Sequence, residues 1–463
     1  MKKFARTISG VTPVAVMTIP MKCPGQCLYC PTYSDAPQSY TPESPAVLRA
    51  KKCSYDAKEQ VRLRLKILSE MGHPTGKVEL IVMGGTFLAY PRDYQYQFIK
   101  DCYNGLNGVE SATLEETKRL NETADHRCTG LCIETRPDWC GQEEMDRMLE
   151  FGATRVELGV QTLNDEIYRL VRRGHEVQDV VKATALLRDH GFKVHYHWMP
   201  GLPGSTPEED LELSRRLFDD ARFRPDGLKL YPTMVVEGTE LEKWYREGRY
   251  EPYDYNTMIE LMVRIKSIVP KYVRISRVLR DIPSKFIIAG CKDSLRDVVR
   301  QRMNQKAVEC KCIRCREYGH RARYGWEIGE PHLLRMDYEA SGGREILLSF
   351  EDERETLFGI LRMRIQSKPI PAPGQGLNGN LALIRELHVY GPEVPLSEQR
   401  TGAAQHKGLG KALLEEAQRI AADEFQVEQM VVLSGTGAKE YYRTEFGYSS
   451  KGDYMVKNLR PQA

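Results

Sequence analysis

Short apolar strands alternate with amphipathic helices through the first half of the chain. Candidate strands occupy residues 78–83, 131–134, 155–160, 193–199 and 227–231. One candidate helix precedes them at 56–71, and others lie between them at 142–151, 177–190 and 207–220. Alternating strands and helices favour a parallel sheet with right-handed crossovers. The pattern therefore predicts an α/β fold, a partial or full parallel (β/α) barrel over residues 1–275. The chemistry of such a barrel lies at the C-terminal ends of its strands.

Three cysteines share one tight loop before the first of these strands. Cys23, Cys27 and Cys30 have a C-x3-C-x2-C spacing, with Pro and Gly residues beside them. A zinc ion would need a fourth ligand, and no other Cys or His lies close by in sequence. A [4Fe–4S] cluster held by three thiolates keeps one iron open for a ligand. The spacing is that of radical S-adenosylmethionine (SAM) enzymes, which favours a cluster and SAM over a zinc knuckle or three unrelated thiols.

Polar residues and glycines stand where the candidate strands end. If the barrel forms, these residues meet at its mouth and are candidates for contacts to SAM or substrate. Each of them could instead be an ordinary core or loop residue. For the two histidines, this structural role and a role in binding are equally well supported. The candidates are Gly84, Gly85, Glu134, Arg136, Glu157, Gln161, His195 and His197.

Charge and composition limit the class of protein. The 463 residues are 41% hydrophobic and carry a net charge of +3, and no apolar run is long enough to span a bilayer. The start of the chain has no export signal, which predicts a cytoplasmic protein with reduced thiols. Residues 277–323 hold 13 Lys or Arg against 5 Asp or Glu. This excess suits a surface that contacts phosphates, although an ordinary solvated surface could also produce it.

A second group of thiols lies within this basic segment. Cys310, Cys312 and Cys315 fall between two domain-like regions, where a closed tetrahedral zinc site would hold loops together. Cys291 is the first candidate for the fourth ligand and His320 is the second. A second iron–sulfur cluster remains an alternative. We therefore expect a zinc-bearing linker over residues 276–330.

The last part of the chain has a different pattern. Candidate strands at 346–350, 357–365 and 383–390 precede a Q-x-x-G-x-G loop that opens a helix. Backbone N–H groups at such a helix start suit a pyrophosphate, so Gln405, Gly408 and Gly410 are candidate ligands. A further strand and a helix with Tyr441 and Tyr442 follow. This order resembles the GCN5-related N-acetyltransferase fold, an α+β domain that binds acetyl-CoA, and predicts such a domain over residues 331–463.

The whole chain resembles the Elongator protein 3 family. The resemblance rests on the two domain types together and on five sequence motifs: MGGTF at 83–87, IETRPD at 133–138, ELGVQ at 157–161, DGLKLYP at 226–232 and RELHVYG at 385–391. Members use acetyl-CoA and SAM to build a carboxymethyl-type group on C5 of the wobble uridine of tRNA. The resemblance implies cluster ligation by the first three cysteines. It also implies acetyl-CoA contacts from Lys77, Glu386, Leu387, His388, Val389, Leu409, Gly410, Lys411 and Tyr442.

These inferences predict a tRNA uridine carboxymethyltransferase whose two domains share one active cleft. The tRNA partner would present its anticodon stem-loop, and the chain could form a homo-oligomer. Tyr442, with Tyr441 as second choice, would orient the thioester or protonate the leaving thiolate. One rival is a protein lysine acetyltransferase with a structural iron–sulfur cluster. A non-enzyme rival is a tRNA-binding scaffold, which the glycine-rich cofactor loops disfavour.

Overall fold

The structure is a computed structural model that describes residues 7–292, 295–366, 377, 380–391 and 408–459. Two sheet-based domains are joined by a short helical linker. Among the described residues, no helix has both the length and the apolar character required to cross a membrane.

The first domain is built from parallel strands and the helices that connect them. Its elements are β1 (Thr12–Met17), α1 (Pro45–Lys52), α2 (Ala57–Glu70), β2 (Lys77–Met83), α3 (Arg92–Asn107), α4 (Leu114–Asn121), β3 (Arg127–Thr135), α5 (Gln142–Glu150), β4 (Arg155–Gln161), α6 (Asp165–Leu170), α7 (Val177–Asp189), β5 (Lys193–Trp198), α8 (Pro207–Asp219), β6 (Gly227–Leu230), β7 (Val235–Val236), α9 (Glu240–Arg246), α10 (Tyr255–Ser267), β8 (Arg274–Val278) and β9 (Ile287–Ala289). The large sheet has the order β1-β2-β3-β4-β5-β6-β8, and β7 pairs with β9 separately.

This sheet is an open barrel, which confirms the predicted partial (β/α) barrel. The five predicted strands are present, and β1 and β8 are added at the two ends of the sheet. Thr206 caps the start of α8, because its hydroxyl accepts a hydrogen bond from the Glu209 N–H at 3.2 Å. β8 ends at Val278, so the barrel sheet continues just beyond residue 275, where the sequence places the end of the domain.

The strands have one buried face and one partly exposed face. In β2, the side chains of Val78, Leu80 and Val82 are fully buried in the core that includes the connecting helices. Glu79 and Ile81 alternate with them and are partly exposed. Successive strand residues point to opposite faces of a sheet, so the second set faces the concave interior of the open barrel, which we call the lumen.

The linker and the second domain follow. The linker holds α11 (Leu295–Gln305), α12 (Ile313–Arg316) and α13 (Tyr318–Arg323), and the second domain holds β10 (His332–Ala340), β11 (Gly343–Glu351), β12 (Leu357–Ile365), β13 (Leu381–Val389), α14 (Leu409–Asp423), β14 (Gln429–Val432), α15 (Lys439–Phe446), β15 (Ser449–Lys451) and β16 (Tyr454–Asn458). Their mixed sheet has the order β10-β11-β12-β13-β14-β16-β15. β13 and β14 pair in parallel only from Leu381 to Ile384, while β13 continues to Val389.

Buried ion pairs join the two domains. Both Nη atoms of Arg385 in β13 donate to Asp226, which precedes β6, at 2.8 Å. Arg385 also donates to Glu345 in β11 at 2.7 Å, and Arg188 in α7 donates to Glu345 at 3.2 Å. All four side chains are at most 1% exposed. The paired arginines hold the pKa of Asp226 well below its usual range despite the opposing effect of burial, so the network stays charged at neutral pH.

Removal of the Asp226 charge should weaken the docking of the domains. We expect Asp226→Asn to lower the free energy of unfolding by about 3–5 kcal/mol, because Arg385 and Arg188 would remain as buried cations with less compensation. Thermal and denaturant unfolding measure this loss. Asp220→Asn is the control, because its partner Arg222 is 54% exposed, and it should cost under about 1 kcal/mol. Equal costs for the two variants would contradict a role for the network.

Candidate active sites and metal centre

The first cavity opens at the C-terminal ends of the barrel strands. The thiols of Cys23, Cys27 and Cys30 line it together with Gly85, Thr86, Glu134, Thr135, Arg136, Gly159, Gln161, Arg173, His197, Met199, Lys229, Tyr231, Arg277 and Arg280. Each thiol has a polar neighbour: Thr86 Oγ1 lies 3.4 Å from Cys23 Sγ, Arg173 Nη1 3.3 Å from Cys27 Sγ and Gln38 Nε2 3.4 Å from Cys30 Sγ. We call this cavity the mouth.

The mouth fits an iron–sulfur cluster with SAM. Two buried polar atoms on its wall, Arg136 Nη1 and Gln161 Oε1, have no hydrogen-bond partner among the described residues. A side chain in place of Gly25 would put Cβ 2.0 Å from Arg136 Nη1, so the cysteine loop lies directly against that guanidinium. Gln161 also has a φ of 73°, a backbone conformation that is costly for a residue other than glycine. The three thiols could hold an iron–sulfur cluster, and the unpartnered donor and acceptor beside them could bind a polar ligand of that cluster, such as SAM.

A network of charged side chains lies deeper in the mouth. Lys229 Nζ donates to Glu134 Oε1 at 2.8 Å and also contacts Glu157. His197 Nε2 lies 3.1 Å from Glu157 Oε2, and the Tyr40 hydroxyl donates to Glu134 at 3.1 Å. Burial lowers the pKa of Lys229, but the two carboxylates more than offset this and raise it well above its usual value. The Lys229 ammonium thus contacts both carboxylates.

The second cavity is a cleft between the domains. It is the larger of the two, with about 460 Å³ against about 120 Å³ for the mouth. Its walls bring together the acetyl-CoA contacts predicted within the described residues: Lys77, Glu386, Leu387, His388, Val389, Gly408, Leu409, Gly410, Lys411, Tyr441 and Tyr442. Gln405 lies outside the described residues. We call this cavity the cleft.

The cleft suits an acyl-CoA. Gly408 has a φ of 77° at the start of α14, where exposed N–H groups and the helix dipole favour a pyrophosphate. Lys77 and Lys193 add positive charge to the wall. β13 and β14 diverge beside this helix start, which leaves room for an extended chain. Burial raises the pKa of Tyr442 well above its usual value and that of Tyr441 to about 12.

The two cavities lie at opposite ends of the barrel strands. Lys77, Arg127 and Lys193, the first residues of β2, β3 and β5, line the cleft. Gln161, the last residue of β4, lines the mouth, as does Arg136 immediately after β3. The sequence-based expectation of one shared cleft therefore differs from the structure, because it used only the C-terminal ends of the strands. The second domain docks on the N-terminal ends.

The linker thiols form a compact group. The Sγ atoms of Cys310, Cys312 and Cys315 lie within 4.8 Å of one another, a separation that one tetrahedral ion with Zn–S bonds of about 2.3 Å can bridge. Lys266 Nζ lies 3.7 Å from Cys315 Sγ. Cys291 is buried but does not belong to this close group, and His320 Nε2 lies 3.6 Å from Glu317. The three thiols therefore fit zinc, and the fourth ligand stays a prediction.

Comparison with known proteins places the chain in a family. The Radical SAM superfamily model matches residues 17–217, and the Radical_SAM C-terminal domain model matches residues 225–305. The tRNA uridine(34) acetyltransferase of Dehalococcoides mccartyi is 64% identical, over 99% of this chain and 100% of that protein. Elongator complex protein 3 of Saccharomyces cerevisiae is 39% identical, over 99% of this chain and 84% of that protein. The chain belongs to the Elongator protein 3 family.

A solved structure of the same family has the same architecture. The archaeal Methanocaldococcus infernus Elp3 with an N-terminal deletion superposes with a TM-score of 0.86 at 44% identity, covering 98% of this chain and 100% of that one. This agreement confirms the predicted radical SAM barrel followed by a separate C-terminal domain.

Several residues of the two cavities escaped the sequence analysis. In the mouth these are Gln38, Tyr40, Arg173, Lys229 and Arg280, and in the cleft they are Glu79, Arg127, Thr129, Gly130 and Lys193. The cleft residues could have been found, because they occupy the first positions of strands on the partly exposed face. The loop residues Gln38, Tyr40 and Arg280 have no such periodic signal. Of the two predicted histidines only His197 reaches the mouth, while His195 packs against Gly227.

Substitution of Gly84 should distort the mouth of this Elongator protein 3 relative. Gly84 has a φ of 137°, and an added Cβ would lie 1.9 Å from Thr18 Oγ1. We expect Gly84→Ala to lower both the melting temperature and the iron bound after anaerobic reconstitution. Gly108→Ala is the control, because Gly108 has a φ of 74° with nothing within 4 Å, so it should cost only about 1 kcal/mol. Full iron content in Gly84→Ala would contradict the conclusion that the mouth depends on the close approach of Gly84 to Thr18.

The linker thiols should bind zinc and stabilise the fold. Structural zinc contributes directly to the folding free energy, so Cys312→Ser should lose bound zinc and unfold at a lower temperature. Metal analysis and thermal unfolding measure both effects. Cys53→Ser, a partly exposed thiol outside both groups, should retain the metal and the melting temperature. If the wild-type protein contains no zinc, the site is misassigned.

Proposed function

We propose that this protein modifies C5 of the wobble uridine of tRNA with a carboxymethyl-type group derived from acetyl-CoA. The observation that carries the proposal is the pairing of two cavities on one barrel, a mouth with three thiols and an acyl-CoA cleft. Relatives that the chain covers over 85–100% of their length are named tRNA uridine(34) acetyltransferase or Elongator complex protein 3. Among the described residues no disulfide joins two cysteines, which suits the reducing cytoplasm.

In the mouth, Cys23, Cys27 and Cys30 would hold the cluster. When bound, the cluster and SAM supply a radical that can take a hydrogen atom from an unactivated C–H bond, here the acetyl methyl group. The protein orients the groups around this chemistry. Arg136 and Gln161 offer the unpartnered donor and acceptor of the wall. Arg173 donates to Cys27 Sγ at 3.3 Å and so fixes one ligand thiol.

In the cleft, the side chains would hold acetyl-CoA without acting as bases. The raised pKa values of Tyr441 and Tyr442 keep both hydroxyls protonated at neutral pH, so they can donate hydrogen bonds to the thioester or to the leaving thiolate. Glu386 stays ionised, because Lys193 and Arg362 hold its pKa well below the usual range despite burial. A sulfur leaving group needs less protonation than an amine, so a tyrosine with a high pKa is sufficient.

The RNA would approach over the basic linker. Tyr324 is 46% exposed and Trp326 43% exposed. Arg300 lies 4.1 Å above the Tyr324 ring, and Arg321 lies 4.4 Å above the Trp326 ring. Exposed aromatic rings flanked by arginines are typical of surfaces that stack unpaired bases and contact phosphates. This supports recognition of a loop of tRNA, for which we propose the anticodon stem-loop.

The test follows the hydrogen atoms of the acetyl methyl group. Reduced, reconstituted protein is incubated with SAM, tRNA and acetyl-CoA that carries deuterium on the methyl carbon. We expect deuterium in 5′-deoxyadenosine and the labelled carbon on C5 of the wobble uridine, both measured by mass spectrometry. Tyr442→Phe should lose much but not all of the modified uridine, because thiolate departure needs only weak help.

Two outcomes would contradict the proposal. Modified uridine with unlabelled 5′-deoxyadenosine would exclude hydrogen abstraction from the acetyl group. Acetylation of a lysine peptide without SAM or tRNA would favour the protein acetyltransferase alternative. The Cys23/Cys27/Cys30→Ser triple variant is the control. It should form neither deuterated 5′-deoxyadenosine nor modified uridine, while it still binds acetyl-CoA.

A further inference from the structure

The opposite positions of the mouth and the cleft raise a problem of transport. This inference rests on the proposed reaction. In that reaction acetyl-CoA is bound in the cleft, but its acetyl carbon must react in the mouth, at the other end of the barrel strands. β4 alone runs over seven residues from Arg155 to Gln161, about 20 Å at the usual rise of a strand. The lumen of the open barrel is the direct route between the two ends.

A continuous column of ion pairs crosses the lumen between the two cavities. It begins with Glu79, which lines the cleft and contacts Arg155. Arg155 Nη2 lies 3.4 Å from Glu157 Oε1, and Glu157 contacts Lys229. Lys229 lines the mouth and donates to Glu134 there at 2.8 Å. Every charge in the column has an opposite charge beside it, so its charged groups can remain inside the barrel.

Arg155 is the central member of this column, and one of its donors is unused. Its Nε is buried and has no hydrogen-bond partner among the described residues, although the side chain as a whole is 11% exposed. Cys132, on the neighbouring strand β3, pairs in register with Arg155 and is fully buried. The Cys132 and Arg155 side chains lie on the same face of the sheet, because the two residues are paired on neighbouring strands. An orphaned buried donor in an otherwise paired column needs an explanation.

We propose that the acyl end of the thioester enters the lumen from the cleft, and that Arg155 positions it there by donating from Nε to the acyl carbonyl oxygen. Three features support this assignment. The cleft opens onto the first residues of the barrel strands. Arg155 directly follows Thr154, which lines the cleft. A guanidinium held between two carboxylates offers Nε in a fixed direction, whereas its Nη atoms are already engaged.

The first test uses a halogenated acetyl-CoA and needs neither SAM nor tRNA. If the acyl end reaches Arg155, the Cys132 sulfur attacks the halogen-bearing carbon. A C–S bond then forms, halide leaves and the thiol proton passes to water. Peptide mass spectrometry should find the label on Cys132, and excess acetyl-CoA should suppress it. Cys140, a buried thiol of the main hydrophobic core, should stay unlabelled.

A cysteine introduced in the cleft shows where the acyl end lies if Cys132 stays unlabelled. Thr129 lies on the same strand as Cys132 but lines the cleft, so Thr129→Cys reports an acyl end that stops there. Burial raises the pKa of Cys132 well above its usual value, so this thiol reacts slowly, and a small neutral haloacetamide applied under the same conditions measures its intrinsic labelling. Label on Thr129→Cys with none on Cys132 overturns the proposal. Label on Cys132 that acetyl-CoA suppresses supports it.

The second test separates the donor from the charge. Arg155→Lys keeps a cation between Glu79 and Glu157 but removes Nε. Acetyl-CoA affinity should stay within about threefold of the wild type, because the contacts of the cleft remain. Modified uridine per acetyl-CoA consumed should fall about 10- to 100-fold, the effect of one lost hydrogen bond in a low-dielectric site. Arg147→Lys is the matched control, because Arg147 pairs with Glu144 on α5, away from both cavities.

The outcomes distinguish this inference from the proposed function. Wild-type activity with an unchanged yield in Arg155→Lys overturns the route through the lumen and leaves the proposed function intact. A wild-type protein that binds acetyl-CoA, labels Cys132 and never modifies uridine refutes the proposed function but not the route. Weaker acetyl-CoA binding in Arg155→Lys, with an unchanged yield per molecule consumed, would assign Arg155 to the cleft and also overturn the proposal.

Discussion

The salt bridges from Arg385 to Asp226 and Glu345 determine how the two domains sit. Arg385 and Glu345 belong to the second domain, and Asp226 and Arg188 belong to the barrel. Buried charges are costly unless each meets its partner with good geometry. A misplaced domain would leave several of them unpaired, so only one docking position is stable. That position sets the cleft on the N-terminal ends of the barrel strands.

The same network also builds the wall of the cleft. Arg362 lies 3.5 Å from Asp226 and donates to Glu386 at 2.8 Å, while Lys193 of the barrel lies 3.3 Å from Glu386. Glu386 is one of the residues that line the cleft. The wall is therefore shared between the domains, and neither domain alone presents the complete cleft. Binding in the cleft and docking of the domains depend on the same charges.

Much of this arrangement could be predicted from the sequence because it rests on local patterns. Strand–helix alternation predicted the open barrel, and the cysteine spacing predicted the loop at the mouth. The glycines at the start of α14 predicted one end of the cleft. The opposite placement of the cavities could not be predicted in this way. It follows from Asp226 and Arg385, which are 159 positions apart in sequence and carry no periodic signal. The positions of Tyr40 and Arg280 could not be predicted either, because both residues reach the mouth from irregular loops.

The lumen shows what an open barrel permits. In a closed eight-stranded barrel, layers of bulky apolar side chains fill the interior. Here the corresponding positions hold Glu79, Arg155, Glu157, Lys229 and Glu134, and the barrel keeps them charged by pairing each with its neighbour. Apolar residues of similar volume would often give a more stable interior. Stability therefore does not explain a charged column between two cavities, whereas a polar path for a substrate does.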